Sequence, residues 1–203
     1  MGMNSITVGI APVRGRIRLA KPLAALRSAY FADYPYLRAP GERAALDEMR
    51  RLCLDPEVLI VTAHHDGVLV GSIIVGPIAE ADTARHGDWF ERNGLDRSRW
   101  MHALYTLTVP AYRALGVNAA MGDLLNGELV RRGIEGRIAM VIQRQENDPK
   151  APAGWRDPVG FFLTRGYEHT GIAALTVSWA DIGDNEPTPK RYIFMVKRTR
   201  SDA

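Results

Sequence analysis

The chain is poor in residues that build covalent or metal-bound frameworks. One cysteine, Cys53, stands among 203 residues, so an internal disulfide is excluded. No Cys/His spacing of zinc type occurs. His64 and His65 are adjacent, which in a strand sends them to opposite faces; they make a poor metal pair and suit an exposed turn better. No apolar run approaches about 18 residues, and the N-terminus has no continuous apolar signal region. A membrane partner is therefore not expected, and the chain reads as cytoplasmic. Repeats, low-complexity tracts and linkers are also missing, so residues 1–203 read as a single domain. Charge of either sign is not in large excess: the net charge is +3 and the isoelectric point near 9.2. That bias permits an anionic ligand or RNA and specifies neither.

What is present is the material of a globular domain. Apolar residues make up 46% and charged residues 24%, enough for a sizeable core. Arg16 to Ala20 alternates charged and apolar residues like a strand. Pro22 suits a helix start, with Leu23, Leu26 and Tyr30 on one face. A second helix is expected over about Glu42 to Cys53, with Leu46, Met49 and Cys53 spaced for burial. Between them lies the proline-rich aromatic loop Tyr34-Pro35-Tyr36-Leu37-Arg38-Ala39-Pro40-Gly41. Val58 to Ala63 and Val68 to Val75 are β-branched runs flanking His65-Asp66-Gly67, a strong hairpin signal. Ala103 to Val109 reads as a strand and Ala119 to Arg132 as a helix ended by Gly133. The buried stripe of that helix is Val117, Met121, Leu124, Leu125 and Leu129. Arg137 to Gln143 is a further strand, Pro158 to Arg165 a short helix, and Ile172 to Trp179 and Arg191 to Lys197 closing strands. This order predicts a mixed α/β domain: a mostly antiparallel sheet, flanking helices and one parallel crossover.

The most informative stretch is Leu107-Thr108-Val109-Pro110-Ala111-Tyr112-Arg113-Ala114-Leu115-Gly116-Val117-Asn118. An apolar strand runs through a turn into a helix and aims backbone N–H groups at one point. Unpaired first-turn donors and the helix dipole make such a point an anion site, with pyrophosphate the obvious guest. Arg113 opens the turn, and Gly116 lets the backbone approach a ligand.

Four pieces in this order resemble the GNAT acetyltransferase superfamily over nearly the whole chain. They are the Asp66-Gly67 hairpin with Val70-Gly71-Ser72, the run Val109 to Gly116, the strand to Gln143, and Phe161-Phe162-Leu163-Thr164-Arg165-Gly166-Tyr167. The closing Ser178 to Gly183 and Lys190 to Phe194 are similar to a little-described bacterial subgroup. The resemblance implies a fold with a splayed parallel strand pair, acetyl-CoA or another acyl-CoA as co-substrate, and direct attack by an amine of a small molecule or amino acid. It implies that Thr108, Val109, Arg113, Ala114, Leu115, Gly116, Val117, Asn118 and Ala119 hold the donor, with Asn147 facing it. Asn118 departs from the expected Gly or Ala. Phe162 stands where many members carry a Tyr acid, and Met101 to Pro110 lacks the usual carboxylate.

That leaves His102, Tyr105 and Glu146 as candidate proton handlers. A separation of three puts His102 and Tyr105 on opposite faces of a regular strand, so at most one faces the site. Tyr34, Tyr36 and Arg38 are candidates for an acceptor wall. Arg144 and Trp155 are further substrate-binding candidates, Trp155 on a long Asp148–Pro158 loop of lid character. Arg14, Arg16, Arg18 and Lys21 form a basic N-terminal run in which the alternating arginines would share a strand face, and Lys197, Arg198 and Arg200 form a basic tail. Two alternatives stay open: an aminoacyl-tRNA donor reached along such a basic surface, and a CoA-binding module without turnover. The oligomeric state is open too, a homodimer through the closing strands included.

Overall fold

A computed structural model describes residues 6–39, 41–79 and 88–199. Its centre is an eight-stranded sheet in the order β1-β2-β3-β4-β5-β8-β6, with β7 on β8. The strands are β1 (Ile6–Ile10), β2 (Leu59–His65), β3 (Val68–Pro77), β4 (Trp100–Thr108), β5 (Gly136–Gln143), β6 (Glu168–His169), β7 (Leu175–Trp179) and β8 (Thr188–Arg198). The β4–β5 pairing is parallel, and the other described pairings are antiparallel.

Helices cover both faces, which is why β2 and β3 are buried nearly throughout. On one face lie α1 (Ala20–Ala32) and α2 (Glu42–Leu54). Leu23 and Ala24 of α1 and Ala45, Met49, Leu52 and Cys53 of α2 pack on Ile60 and Ile74. On the other face lies α3 (Val117–Arg131), whose buried Val117, Met121, Leu125 and Leu129 recur every fourth residue. They pack on Val61, Ile73 and Val75. The short α4 (Pro158–Thr164) starts on the Asp157 carboxylate, which accepts from the Val159 N–H. Its Val159 and Phe162 rest on Ala139 and Val141 of β5. The β2–β3 hairpin turns at Asp66 (φ 50°) and Gly67 (φ 77°), the two positive φ values that a tight two-residue hairpin turn demands.

Two expectations near the N-terminus are corrected. Arg16 to Leu19 is a 3-10 turn leading into α1, and the strand lies earlier, at Ile6–Ile10. The alternation that suggested a strand has another cause. Arg16 is buried and donates to the main-chain carbonyls of Leu52, Cys53, Asp55 and Val58 at the end of α2. A cation at a helix C-terminus satisfies carbonyls that lack helical partners. Arg14 and Arg18 stay exposed while Arg16 does not, so the basic residues there do not form one solvent face. At the other end, the first closing strand begins at Leu175, three residues later than its apolar pattern.

His64 and His65 belong to β2 and not to a turn; His65 Nδ1 meets the Tyr112 hydroxyl at 2.8 Å. Among the described residues, no group of three His, Cys, Asp or Glu side chains is placed to hold a metal. No described helix is long and apolar enough to cross a membrane. Arg200, of the basic tail, lies outside the described residues.

Candidate functional site

The site is built where the parallel pair comes apart. β4 and β5 pair from Trp100↔Gly136 to Ala103↔Ala139 and no further, although both strands continue. A bulge sits at the parting: Ala103 pairs with Val75 and Tyr105 with Ile74, which leaves Leu104 without a partner in β3. The extra residue resets the alternation, and both Leu104 and Tyr105 pack on the α1–α2 side. Counting residues therefore misplaces His102 relative to Tyr105. His102 lies in the closed part of the pair, opposite Gly76 and Ile138, whereas Tyr105 lies beyond the parting.

A cavity of about 350 Å³ opens at this gap. Ala103 to Thr108 of β4 and Ala139 to Val141 of β5 form its two sides. Tyr34 and Tyr36 from the loop after α1, and Trp155 from the loop before α4, close over it. Tyr34 and Trp155 meet edge to face at 4.9 Å. Arg113 and Asn118 complete the wall at the head of α3.

The chain enters α3 through a 3-10 turn, Pro110–Leu115, and then Gly116 at φ 75°. That left-handed conformation suits glycine and strains other residues. The first helical bond of α3 runs from Ala120 N–H to the Gly116 carbonyl. The N–H groups of Val117, Asn118 and Ala119 thus precede any helical acceptor, and no side chain caps them. The Thr108 hydroxyl donates to Asn118 Oδ1 at 2.5 Å, turning the Asn118 side chain to the strand end. Arg113 is half-exposed: its Nε donates to the Thr108 carbonyl at 3.2 Å, and Nη2 is 3.8 Å from Asp33.

Tyr105 belongs to a triad that no single stretch of sequence contains. Its hydroxyl donates to Glu48 Oε1 of α2 at 2.6 Å and accepts from Arg27 Nε of α1 at 3.1 Å. Arg27 and Glu48 pair at 3.0 Å. Burial, reinforced by the Glu48 carboxylate, pushes the Tyr105 hydroxyl up to about 12. Tyr105 is therefore protonated at neutral pH. Glu48 was not legible as a site residue, because its position on α2 reads as one more polar helix residue.

The remaining candidates fall behind or outside the cavity. Arg144 Nη1 and Nη2 close on Asp181 at 2.9 and 3.1 Å, and the same side chain donates to the carbonyls of Pro35 and Tyr36. Its donors are committed to holding the aromatic loop, which replaces the expected contact with an acidic ligand group. Burial opposes ionisation of Asp181, but hydrogen bonds from Arg144 and Lys190 outweigh it and hold its carboxyl below the usual range. Arg38 is exposed and bridges Asp181 through its backbone, with its guanidinium over Trp179. Glu146 and Asn147 are exposed on the turn after β5 and do not line the cavity. Nor does His102. Asp148, from the same turn, accepts instead from the Tyr34 hydroxyl at 3.2 Å. With Val109, Ala114, Leu115 and Ala119 also at the head of α3, the structure brings the donor-site candidates together except Asn147.

Solved structures share this architecture. An aminoglycoside 6'-N-acetyltransferase from Enterococcus faecium superposes with a TM-score of 0.62 at 15% identity, over 97% of this chain and 99% of that one. A putative acetyltransferase of the GNAT family from Desulfovibrio desulfuricans gives 0.61 at 12% identity, over 96% and 100%. The chain has the GNAT fold. A PaiA N-acetyltransferase from Thermoplasma acidophilum, solved in complex with coenzyme A, gives 0.57 at 13% identity over 95% of this chain and 99% of that one. No family model matches the sequence, and no curated protein matches it. The GNAT fold is thus shared with these structures at identities of only 12 to 15%.

Proposed function

We propose that this protein is an N-acyltransferase that moves an acetyl or related acyl group from acyl-CoA to an amine of a small molecule or amino acid. The observation that carries this reading is the parting of β4 and β5 beside an uncapped helix head, with a cavity of about 350 Å³ in the opening. The residues fit CoA. Unpaired amides at Val117 to Ala119 and the Arg113 guanidinium suit its pyrophosphate, and the gap is a slot for an extended chain. Bound there, an acyl-CoA would supply the acyl group as a thioester.

The chain's own contribution is placement, polarisation and proton transfer. Tyr34, Tyr36 and Trp155 form an aromatic enclosure suited to a substrate that carries a cationic amine. Main-chain N–H groups of β4 beyond the bulge no longer have β5 as a partner and would be available to the acyl carbonyl oxygen. The ammonium first gives one proton to solvent; the neutral amine then attacks the carbonyl carbon, the C–N bond forms, the C–S bond breaks, and the thiolate leaves. The surplus proton on nitrogen goes to the Tyr105 oxygen as Tyr105 gives its own proton to Glu48. A hydroxyl with a pKa of about 12 never needs to ionise in such a relay.

An aminoacyl-tRNA donor would call for a basic path from the α3 head to the Arg14–Lys21 segment. Arg16 is withdrawn from that path by its carbonyl partners. The CoA reading is tested by calorimetry with acetyl-CoA, followed by thiol release with a panel of amines. Micromolar, near-stoichiometric binding abolished by Gly116→Trp is expected. Binding unchanged in that variant would remove the donor-site assignment.

A further inference from the structure

On the side away from the head of α3, the cavity at the parting is walled by rings: Tyr30, Phe31, Tyr34, Tyr36, Tyr105 and Trp155. Phe31 ties most of them together, with ring centres 4.4 Å from Tyr36, 5.8 Å from Tyr30 and 6.1 Å from Tyr105. Arginines already lie over four of these rings. Arg27 is 4.9 Å from the Phe31 ring centre and 5.4 Å from that of Tyr105. Arg113 is 5.7 Å from Tyr30, and Arg144 is 5.4 Å from Tyr34. A ring that holds one cation attracts a second less, so these four are poor hosts for extra ammonium groups. Tyr36 and Trp155 carry no such cation among the described residues and are left to face a ligand.

The nearby carboxylates are committed too. Glu48 serves Arg27 and Tyr105, Asp33 serves Arg113, and Asp148 serves Arg144 and Tyr34. Among the described residues, the charged side chains that line the cavity are Arg113 and Arg156, both cations. Arg113 belongs to the head of α3. Arg156 follows Trp155, is exposed, and has no ion-pair partner among the described residues. A ligand with several positive charges would meet like charge here without a free carboxylate to offset it. A ligand with an aromatic body, one amine and one anionic group matches every part of the wall. The cavity volume of about 350 Å³ also favours a small body, since ligand pockets run from about 300 to 1,000 Å³.

We propose that the acceptor is an aromatic amino acid: its ring lies against Tyr36 and Trp155, its amine reaches Tyr105, and its carboxylate pairs with Arg156. This assignment rests on the acyltransferase reading. The amine nitrogen gains the acetyl group and loses two protons, one to solvent before attack and one through Tyr105 to Glu48. The departing thiolate takes up one proton from solvent, which leaves an N-acetyl amino acid and the free thiol.

Thiol release from acetyl-CoA is measured with L-phenylalanine, phenethylamine, L-alanine and spermidine as acceptors. Calorimetry with acetyl-CoA, and with L-phenylalanine alone, accompanies it. Phenethylamine lacks the carboxylate, alanine lacks the ring, and spermidine carries several charges. L-Phenylalanine should exceed each of the others at least tenfold in kcat/KM. Its amine is less basic than that of phenethylamine, so Arg156→Met supplies the decisive comparison. That variant should bring L-phenylalanine down to the level of phenethylamine, and Trp155→Ala should lower both. Spermidine or alanine used as well as L-phenylalanine overturns the proposal. So does an advantage over phenethylamine that survives in Arg156→Met. If acetyl-CoA binds but none of the four amines releases thiol, the acceptor assignment falls and the CoA reading stands. If L-phenylalanine binds and acetyl-CoA does not, the amino-acid site stands and the acyltransferase reading falls. Binding of neither overturns both.

Discussion

Replacing Asp181 with Asn should destabilise the fold by about 3–5 kcal/mol, the cost of leaving buried charge uncompensated. The magnitude follows from the environment. The Asp181 side chain is 3% exposed, and its main partners Arg144 and Lys190 are 8% and 2% exposed. Arg144 grips both carboxylate oxygens, at 2.9 and 3.1 Å, and Lys190 Nζ stands 3.1 Å from one of them. Asparagine keeps the shape but removes the charge, and its amide N–H₂ faces cations. Lys150 provides the internal comparison. It is 34% exposed, with Asp184 at 2.5 Å and Asp181 only at 3.5 Å, so Lys150→Ala should cost less than about 1 kcal/mol. Urea denaturation reads both values from midpoint and slope. Because Arg144 also holds the Pro35 and Tyr36 carbonyls, Asp181→Asn should raise KM for the amine more than KM for acetyl-CoA. A stability loss below about 1 kcal/mol with an unchanged slope would refute the reasoning, because the pair would then not be desolvated as its burial requires. The folded pKa of Asp181 lies below its unfolded value, so its contribution is present above the unfolded value and lost as pH falls through the folded one.

Tyr105→Phe and Glu48→Gln should each lower kcat about 100-fold with KM for acetyl-CoA little changed, as expected for loss of a proton relay; steady-state kinetics showing kcat within twofold of the parent would exclude it. Gly136→Ala places a Cβ 2.5 Å from Trp100 Cζ3 and 2.8 Å from the Lys197 carbonyl. That overpacking at the closed end of β4–β5 should cost about 1–3 kcal/mol in denaturation, and a neutral result would show that both the Trp100 ring and the β8 backbone at Lys197 give way. Hydrogen bonding from Arg131, and then from Arg132, lowers Glu128 to about 2 from 4.5. Its stabilisation is therefore complete above pH 4.5 and lost towards pH 2; Glu128→Gln should flatten that acid limb in thermal melts, and an unchanged limb would assign the loss to other carboxylates.

The order of elements was legible because periodicity reports burial. The α2 and α3 stripes and the β2–β3 hairpin follow patterns that local packing enforces. The sequence reading failed where one residue answered to a distant partner. Arg16 looked like an exposed strand residue because its partners, Cys53 and Val58, lie far along the chain. The β4 bulge was equally hidden. Nothing in Ala103-Leu104-Tyr105 announces it, since it exists only in the register between β3 and β4.

The candidate site divides along the same line. Backbone features were readable, because Gly116 and the strand-turn-helix order constrain the chain where they stand. Charged groups were not, since a charge in sequence looks the same whether it serves solvent, structure or ligand. What separates the three is the partner. Arg144, singled out from sequence, has its donors spent on Asp181 and two carbonyls and so positions Tyr34 and Tyr36. Arg137, not singled out, is buried with Nη1 unspent. Burial alone therefore does not tell the two arginines apart; their partners do, Tyr167 for Arg137 and Asp181 for Arg144. A folded chain offsets the desolvation of a structural cation internally, as Asp181 does for Arg144.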